Sequence, residues 1–253
     1  MLRYTTYGTT DGTTVLIVHG LYGSARNWGV ISKRLSAAHR VVTVDMRNHG
    51  DSPHLPSHSY ADMAGDLAEV IAQIGHPVDI VGHSMGGKAA MILALTQPEL
   101  VRRMVVADIA PVAYGHSQIQ FIEAMQGLDL NGITLRSEAD AALSQTVEDP
   151  AIRAFLLQSL DLKSDPTRWT LNLEVLAADM PKIVGWPEIE GQFGGPVLML
   201  SGGASDYVLP QHRPVIKGYF PKARFAKIPG AGHWLHAEKP REFEVAVAAF
   251  LSA

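Results

Sequence analysis

The chain has 253 residues, 47% of them hydrophobic and 18% charged, with a net charge of −4 and no cysteine. That length and balance fit one large folded domain, or a core with an insertion, and exclude a disordered chain. The missing cysteine excludes disulfides, thiolate catalysis and cysteine-ligated metals, and no basic stripe or polybasic cluster offers a footprint for nucleic acid or an anionic membrane.

Taken in chain order, Met1–Gly8 lacks the basic start and long apolar core of a signal peptide, so a cytoplasmic protein is expected. A strand near Arg3–Tyr7 leads in as an antiparallel edge. Short β-branched or apolar runs then predict strands at Thr14–Val18, Arg40–Asp45, Val78–Val81, Met104–Asp108, Val197–Ser201 and Arg224–Ile228. Helical spacing predicts helices at Trp28–Ala37, Tyr60–Ile74, Met85–Gln97, Pro210–Tyr219 and Pro240–Leu251. Continuous apolar strands alternating with helices indicate an α/β fold with a mostly parallel sheet covered on both faces. Runs such as Val15–Val18 are far too short to span a bilayer.

From Pro111 to Trp186 the rhythm breaks, with no convincing strand and helical stretches at His116–Gln126, Ser137–Val147, Ala151–Leu160 and Arg168–Met180. Asp149 before Pro150 reads as an N-cap followed by proline at the first helical position. Gly194-Gly195-Pro196 marks the return to the sheet. The expected organisation is a core over 1–110 and 191–253 with a helical cap over 111–190. An insert at the carboxyl ends of parallel strands sits where ligands bind.

Gly82-His83-Ser84-Met85-Gly86 joins a predicted strand to a predicted helix. The two glycines allow a turn too tight for side chains, and Ser84 is pushed into a strained conformation with its hydroxyl above the sheet. The helix that follows aims free N–H groups at the same point, which suits a developing oxyanion. A serine nucleophile needs a base, and the base an orienting acid. His233, in Pro229-Gly230-Ala231-Gly232-His233-Trp234 after the last strand, is the candidate base. Two carboxylates compete for the acid: Asp206, just past Val197–Ser201, and Asp108, at the end of Met104–Asp108. Both keep the order Ser, Asp, His, and Asp206 is modestly favoured.

The Met85 amide and the Leu21 amide, in the loop His19-Gly20-Leu21-Tyr22-Gly23, are the expected oxyanion donors. His19 reads as a structural hydrogen-bonder, and Asp45–Ser52 as loop bracing. Trp28, Met85, Met125, Trp186 and Trp234 are candidates for lining an acyl pocket. Arg102, Arg103, Lys88 and Lys217 are cationic, but nothing places them as a phosphate site.

These motifs together resemble the α/β-hydrolase superfamily over nearly the whole chain. More narrowly, Asn48-His49-Gly50, Asp108-Ile109-Ala110-Pro111-Val112 and Gly230–Glu238 are similar to the bacterial YbfF-type esterases and their mitochondrial relatives of the abhydrolase-11 kind. In the wider superfamily the acid falls where Asp206 lies; in the narrower group the aspartate matching Asp108 is the alternative. The resemblance implies a serine carboxylesterase acting on small to medium acyl esters, with thioesters such as acyl-CoA open to the same chemistry. No metal or cofactor is required, and the protein is expected as a monomer or homodimer. Two other readings stay open: non-ester chemistry on the same fold (a carbon–carbon hydrolase, lyase or perhydrolase), and a receptor-like member that binds without turnover.

Overall fold

A computed structural model describes residues 1–9 and 13–253. Seven strands form one sheet in the order β1-β3-β2-β4-β5-β8-β9. They are β1 (Tyr4–Tyr7), β2 (Thr14–Val18), β3 (Arg40–Val44), β4 (Val78–His83), β5 (Val101–Ala107), β8 (Val197–Gly202) and β9 (Ala223–Ile228). Only β1 runs antiparallel, pairing Tyr4 with Val44 and Tyr7 with Val41 at the edge; every other pairing is parallel. The α/β architecture and each expected core strand are present; Thr14–Val18 keeps both its bounds, and the other strands shift at an end by at most three residues.

Alternation along the strands divides the core. Leu16, Val18, Val42, Val44, Ile80 and Val106 bury one face against α2 (Tyr60–Ile74) and α3 (Met85–Thr96). Val15, Ile17, Val41, Val81, Val105 and Leu200 bury the other against α1 (Gly29–Leu35) and α11 (Pro240–Leu251). Both faces are therefore dry, which explains why the central strands read as unbroken apolar runs. The N-terminus of α2 is set by Ser59, whose hydroxyl accepts from the Asp62 amide while the Asp62 carboxylate accepts from the Ser59 amide.

Between β5 and β8 the chain forms α4 (Ile119–Gln126), α5 (Arg136–Leu143), α6 (Pro150–Leu156), α7 (Leu173–Ala178) and α8 (Met180–Val184). Asp149 caps α6, accepting from the Ala151 amide at 2.8 Å, with Pro150 at the first helical position. The sequence reading needs correction in this interval. Leu160–Asp161 (β6) and Arg168–Trp169 (β7) pair antiparallel, so Arg168–Trp169 is strand; of the helix expected over Arg168–Met180 only Leu173–Ala178 forms, and a second short helix starts at Met180. A ladder of two residues per strand is too short to leave an alternating pattern. The remaining α-helices among the described residues are α9 (Arg213–Tyr219) and α10 (Leu235–Glu238). Among the described residues, no helix is long and apolar enough to cross a membrane.

Candidate active site

Ser84 stands between β4 and α3 with φ 50° and ψ −120°, a conformation strained for a side-chain-bearing residue. The turn tolerates nothing larger than glycine at its flanks. A Cβ on Gly82 would lie 2.5 Å from the Gly86 carbonyl oxygen, and one on Gly86 would lie 2.5 Å from the Val18 oxygen. Close approach of α3 to β2 and β4 thus dictates both glycines and holds the serine hydroxyl above the sheet.

Ser84 Oγ lies 3.1 Å from His233 Nε2, and His233 Nδ1 lies 2.8 Å from Asp108 Oδ2. The three side chains come from the carboxyl ends of β4, β9 and β5. Asp108 is fully buried and has φ 53°, which turns its carboxylate back across the sheet edge. Its second oxygen accepts from the Gly202 amide at 2.9 Å, and Ser205 Oγ donates to Oδ2. The modest preference for Asp206 is corrected by this geometry: Asp206 is exposed in the turn after β8, and the hydrogen bond of His233 goes to Asp108. A chain bonded in this way can carry the serine proton to imidazole while the carboxylate fixes which ring nitrogen bears the hydrogen.

The His233 loop is pinned from several sides. Glu238 accepts from the Gly232 and Trp234 amides at 2.7 and 3.2 Å, and His83 Nε2 donates to the His233 carbonyl at 2.9 Å. The Tyr207 ring stacks on the imidazole with centroids 3.9 Å apart. Ser205 and Tyr207 carry no motif of their own; the only signal for them in the sequence is their place beside Asp206, in the turn that offers a candidate acid.

The Met85 amide is the first N–H of α3 and so has no intrahelical acceptor. Among the described residues, nothing accepts from the Leu21 amide. Leu21 and Met85 both border the cavity over Ser84. The Leu21 loop is braced by histidines: His19 Nε2 accepts from the Met46 amide at 2.9 Å, and His49 Nε2 accepts from the Tyr22 amide at 3.2 Å. Asp45 adds bonds to the Ala25 and Asp51 amides, and Arg47 meets Asp66 through two nitrogens. Asn48, at φ 65°, accepts from the Leu55 amide and from Asn172 Nδ2, tying this loop to the start of α7.

The cavity holds about 430 Å³, the size of a small-ligand site. Of the residues considered for an acyl pocket, Trp28, Met85 and Trp234 border this cavity. Met125 and Trp186 do not, and both are corrections. Met125 is 1% exposed inside the core, and Trp186 packs on Tyr219 with centroids 5.8 Å apart. Phe121, Ile152, Phe155 and Ile183, from the segment between β5 and β8, supply much of the apolar wall instead. Lys88 also borders the cavity; burial pushes its ammonium down to about 7. Among the described residues, no group of three or more His, Cys, Asp or Glu side chains is placed to hold a metal ion.

Burial holds His58 and His236 down to about 3, so both are neutral in the fold. An unfolded histidine takes up a proton near pH 6.5 that these two refuse until about pH 3. Their contribution to stability is complete above pH 6.5 and is lost as pH falls, by about 1.4 kcal/mol per pH unit for each histidine at most. The unfolding midpoint is therefore expected to drop between pH 6.5 and 4.5, above the main carboxylate range. A calorimetric midpoint that stays level over that window would contradict buried neutral histidines.

A family model described as alpha/beta hydrolase fold matches residues 13–240. An sn-1-specific diacylglycerol lipase of Mus musculus is 42% identical over 97% of this chain and 84% of its own. An esterase of Escherichia coli, YbfF, is 38% identical over 91% of this chain and 89% of its own. Among solved structures, a marine microorganism esterase superimposes with a TM-score of 0.94 at 37% identity, covering 98% of each chain.

Proposed function

The chain belongs to the α/β-hydrolase fold family and is an ester hydrolase, and from that premise we propose that it works as a serine carboxylesterase through an acyl-enzyme. Ser84 is the nucleophile, His233 the general base and then general acid, and Asp108 the carboxylate that orients His233. The observation that carries the reading is the unbroken hydrogen-bond chain from Ser84 through His233 to buried Asp108, under a mostly apolar cavity of about 430 Å³.

Ser84 Oγ attacks the ester carbonyl as His233 Nε2 takes its proton. The Leu21 and Met85 amides hold the negative charge that develops on the carbonyl oxygen. His233 returns the proton to the leaving alcohol, which departs; it then removes one from water as it attacks the acyl-serine, and gives it to Ser84 Oγ as the acyl–serine bond breaks and the acid leaves. The segment 111–190 acts as a cap, with Phe121, Ile152, Phe155 and Ile183 around the acyl chain. Small to medium acyl groups suit a cavity of this size, and thioesters present the same carbonyl to the same groups.

The test is a series of p-nitrophenyl esters from acetate to palmitate, combined with rapid quenching and peptide mass spectrometry. Turnover is expected to fall off with increasing chain length, and the acyl mass is expected on the peptide carrying Ser84. Turnover without any acyl adduct on that peptide, under conditions that accumulate the intermediate, would count against the acyl-enzyme. A folded protein that hydrolyses no ester would sink the esterase assignment.

A further inference from the structure

Lys88 lies one helical turn beyond Ser84 on α3 and is only 1% exposed. A lysine this deep normally meets a carboxylate. Among the described residues none lies within ion-pair distance of it. Its Nζ instead donates to the carbonyls of Val184 and Gly185, at 3.1 and 2.5 Å, just where α8 ends. Tyr60, from α2, donates its hydroxyl to the neighbouring Ile183 carbonyl at 2.6 Å. The Tyr114 amide, in the strand-free stretch after β5, donates to the Val184 carbonyl at 3.0 Å. Three successive carbonyls are thus held by donors from three separate places in the core. The rings of Tyr60 and Tyr114 flank the lysine nitrogen, with centroids 5.6 and 4.8 Å away.

The final carbonyls of a helix have no partner within it, and a lysine reaching them satisfies otherwise orphaned acceptors. An ammonium offers three N–H donors and a neutral amine two, so both carbonyls are served in either protonation state. The residues gripped in this way are themselves cavity wall, since Ile183 and Val184 line the space over Ser84.

We propose that Lys88 is a positioning residue that sets the acyl length the cavity accepts, by clamping the Val184 and Gly185 carbonyls so that Ile183 and Val184 stay in the wall. The length role rests on the esterase reading above; the clamp itself does not. With the clamp cut, residues 183–185 lose their tie to α3 and the wall yields to longer chains. Tyr60 grips the same stretch from α2, so removing its hydroxyl weakens the clamp from the other side.

The experiment compares wild type with Lys88→Met and Tyr60→Phe in two measurements. Amide hydrogen exchange of the peptide covering 181–187 is expected to speed up about tenfold in Lys88→Met, the scale of one lost buried donor, and less in Tyr60→Phe. The ratio of kcat/KM for the decanoate ester over the butyrate ester is expected to rise by about tenfold in Lys88→Met. A general loss of packing would lower both esters together and leave the ratio where it was, which would overturn the length role. Unchanged exchange in an active Lys88→Met protein would overturn the clamp. If Lys88→Met fails to fold, Tyr60→Phe decides the matter through the same two readouts. A wild-type protein that turns over no ester overturns the esterase reading and the length role with it, while the exchange result still decides the clamp.

Discussion

Asp108→Asn is expected to lower kcat on p-nitrophenyl butyrate by about four orders of magnitude, while Asp206→Asn stays near wild type. The asymmetry follows from what each carboxylate touches. Asp108 Oδ1 accepts from the Gly202 amide, and Oδ2 accepts from His233 Nδ1 and from Ser205. An asparagine in the same place keeps its oxygen for the Gly202 amide and turns its NH2 group toward His233. The imidazole must then present a bare Nδ1 to that donor, so its hydrogen moves to Nε2 and faces Ser84. A ring protonated at Nε2 cannot take the serine proton. Asp206 is exposed and its loss leaves this arrangement as it was. Thermal midpoints of the two variants separate a catalytic loss from unfolding. Wild-type turnover in Asp108→Asn, or a large loss in Asp206→Asn, would overturn the assignment of the acid.

Why the sequence left two carboxylates standing is a matter of strand order. Chain order alone is satisfied by both, because each follows Ser84 and precedes His233. What separates them is that β5 lies between β4 and β8 in the sheet, so the end of β5 emerges directly beside the end of β4 that carries Ser84. Asp108 then needs only the backbone turn at φ 53° to face the histidine. Asp206 lies beyond a further turn, directed to solvent. Ser84 and His233 were legible because their constraint is local: strand, glycine-flanked turn and helix for the first, and a glycine-bearing loop after the last strand for the second. Met125, inside α4, and Trp186, in the stretch after α8, were not, because an apolar side chain gives no sign in the sequence of whether it faces a cavity or packs on a neighbouring side chain. Lys88 was visible as a cation one turn past the nucleophile. Its partners are backbone carbonyls nearly a hundred residues away, and carbonyls carry no sequence signature. The same holds for β6 and β7, whose pairing depends on tertiary contacts and not on any periodic pattern.

Ser84→Ala is expected to reduce kcat by about six orders of magnitude, and the double variant Ser84→Ala/His233→Ala to fall no further. The two residues act on one proton. With the hydroxyl gone, His233 has nothing to deprotonate in the acylation step, so removing it as well costs little more. Independent contributions would multiply, and the double variant would lie far below either single one. The Leu21 and Met85 amides remain in both variants, so a residual acceleration of about a thousandfold over water is expected from oxyanion binding and substrate positioning alone. His233→Ala alone is expected to match Ser84→Ala, because an unactivated serine hydroxyl is a weak nucleophile at neutral pH. The measurement is single-turnover hydrolysis of p-nitrophenyl butyrate by all three variants, each purified free of wild type. Losses that multiply would mean that the serine and the histidine act in separate steps, and the proton path from Ser84 Oγ to His233 Nε2 would have to be abandoned, despite the 3.1 Å between them.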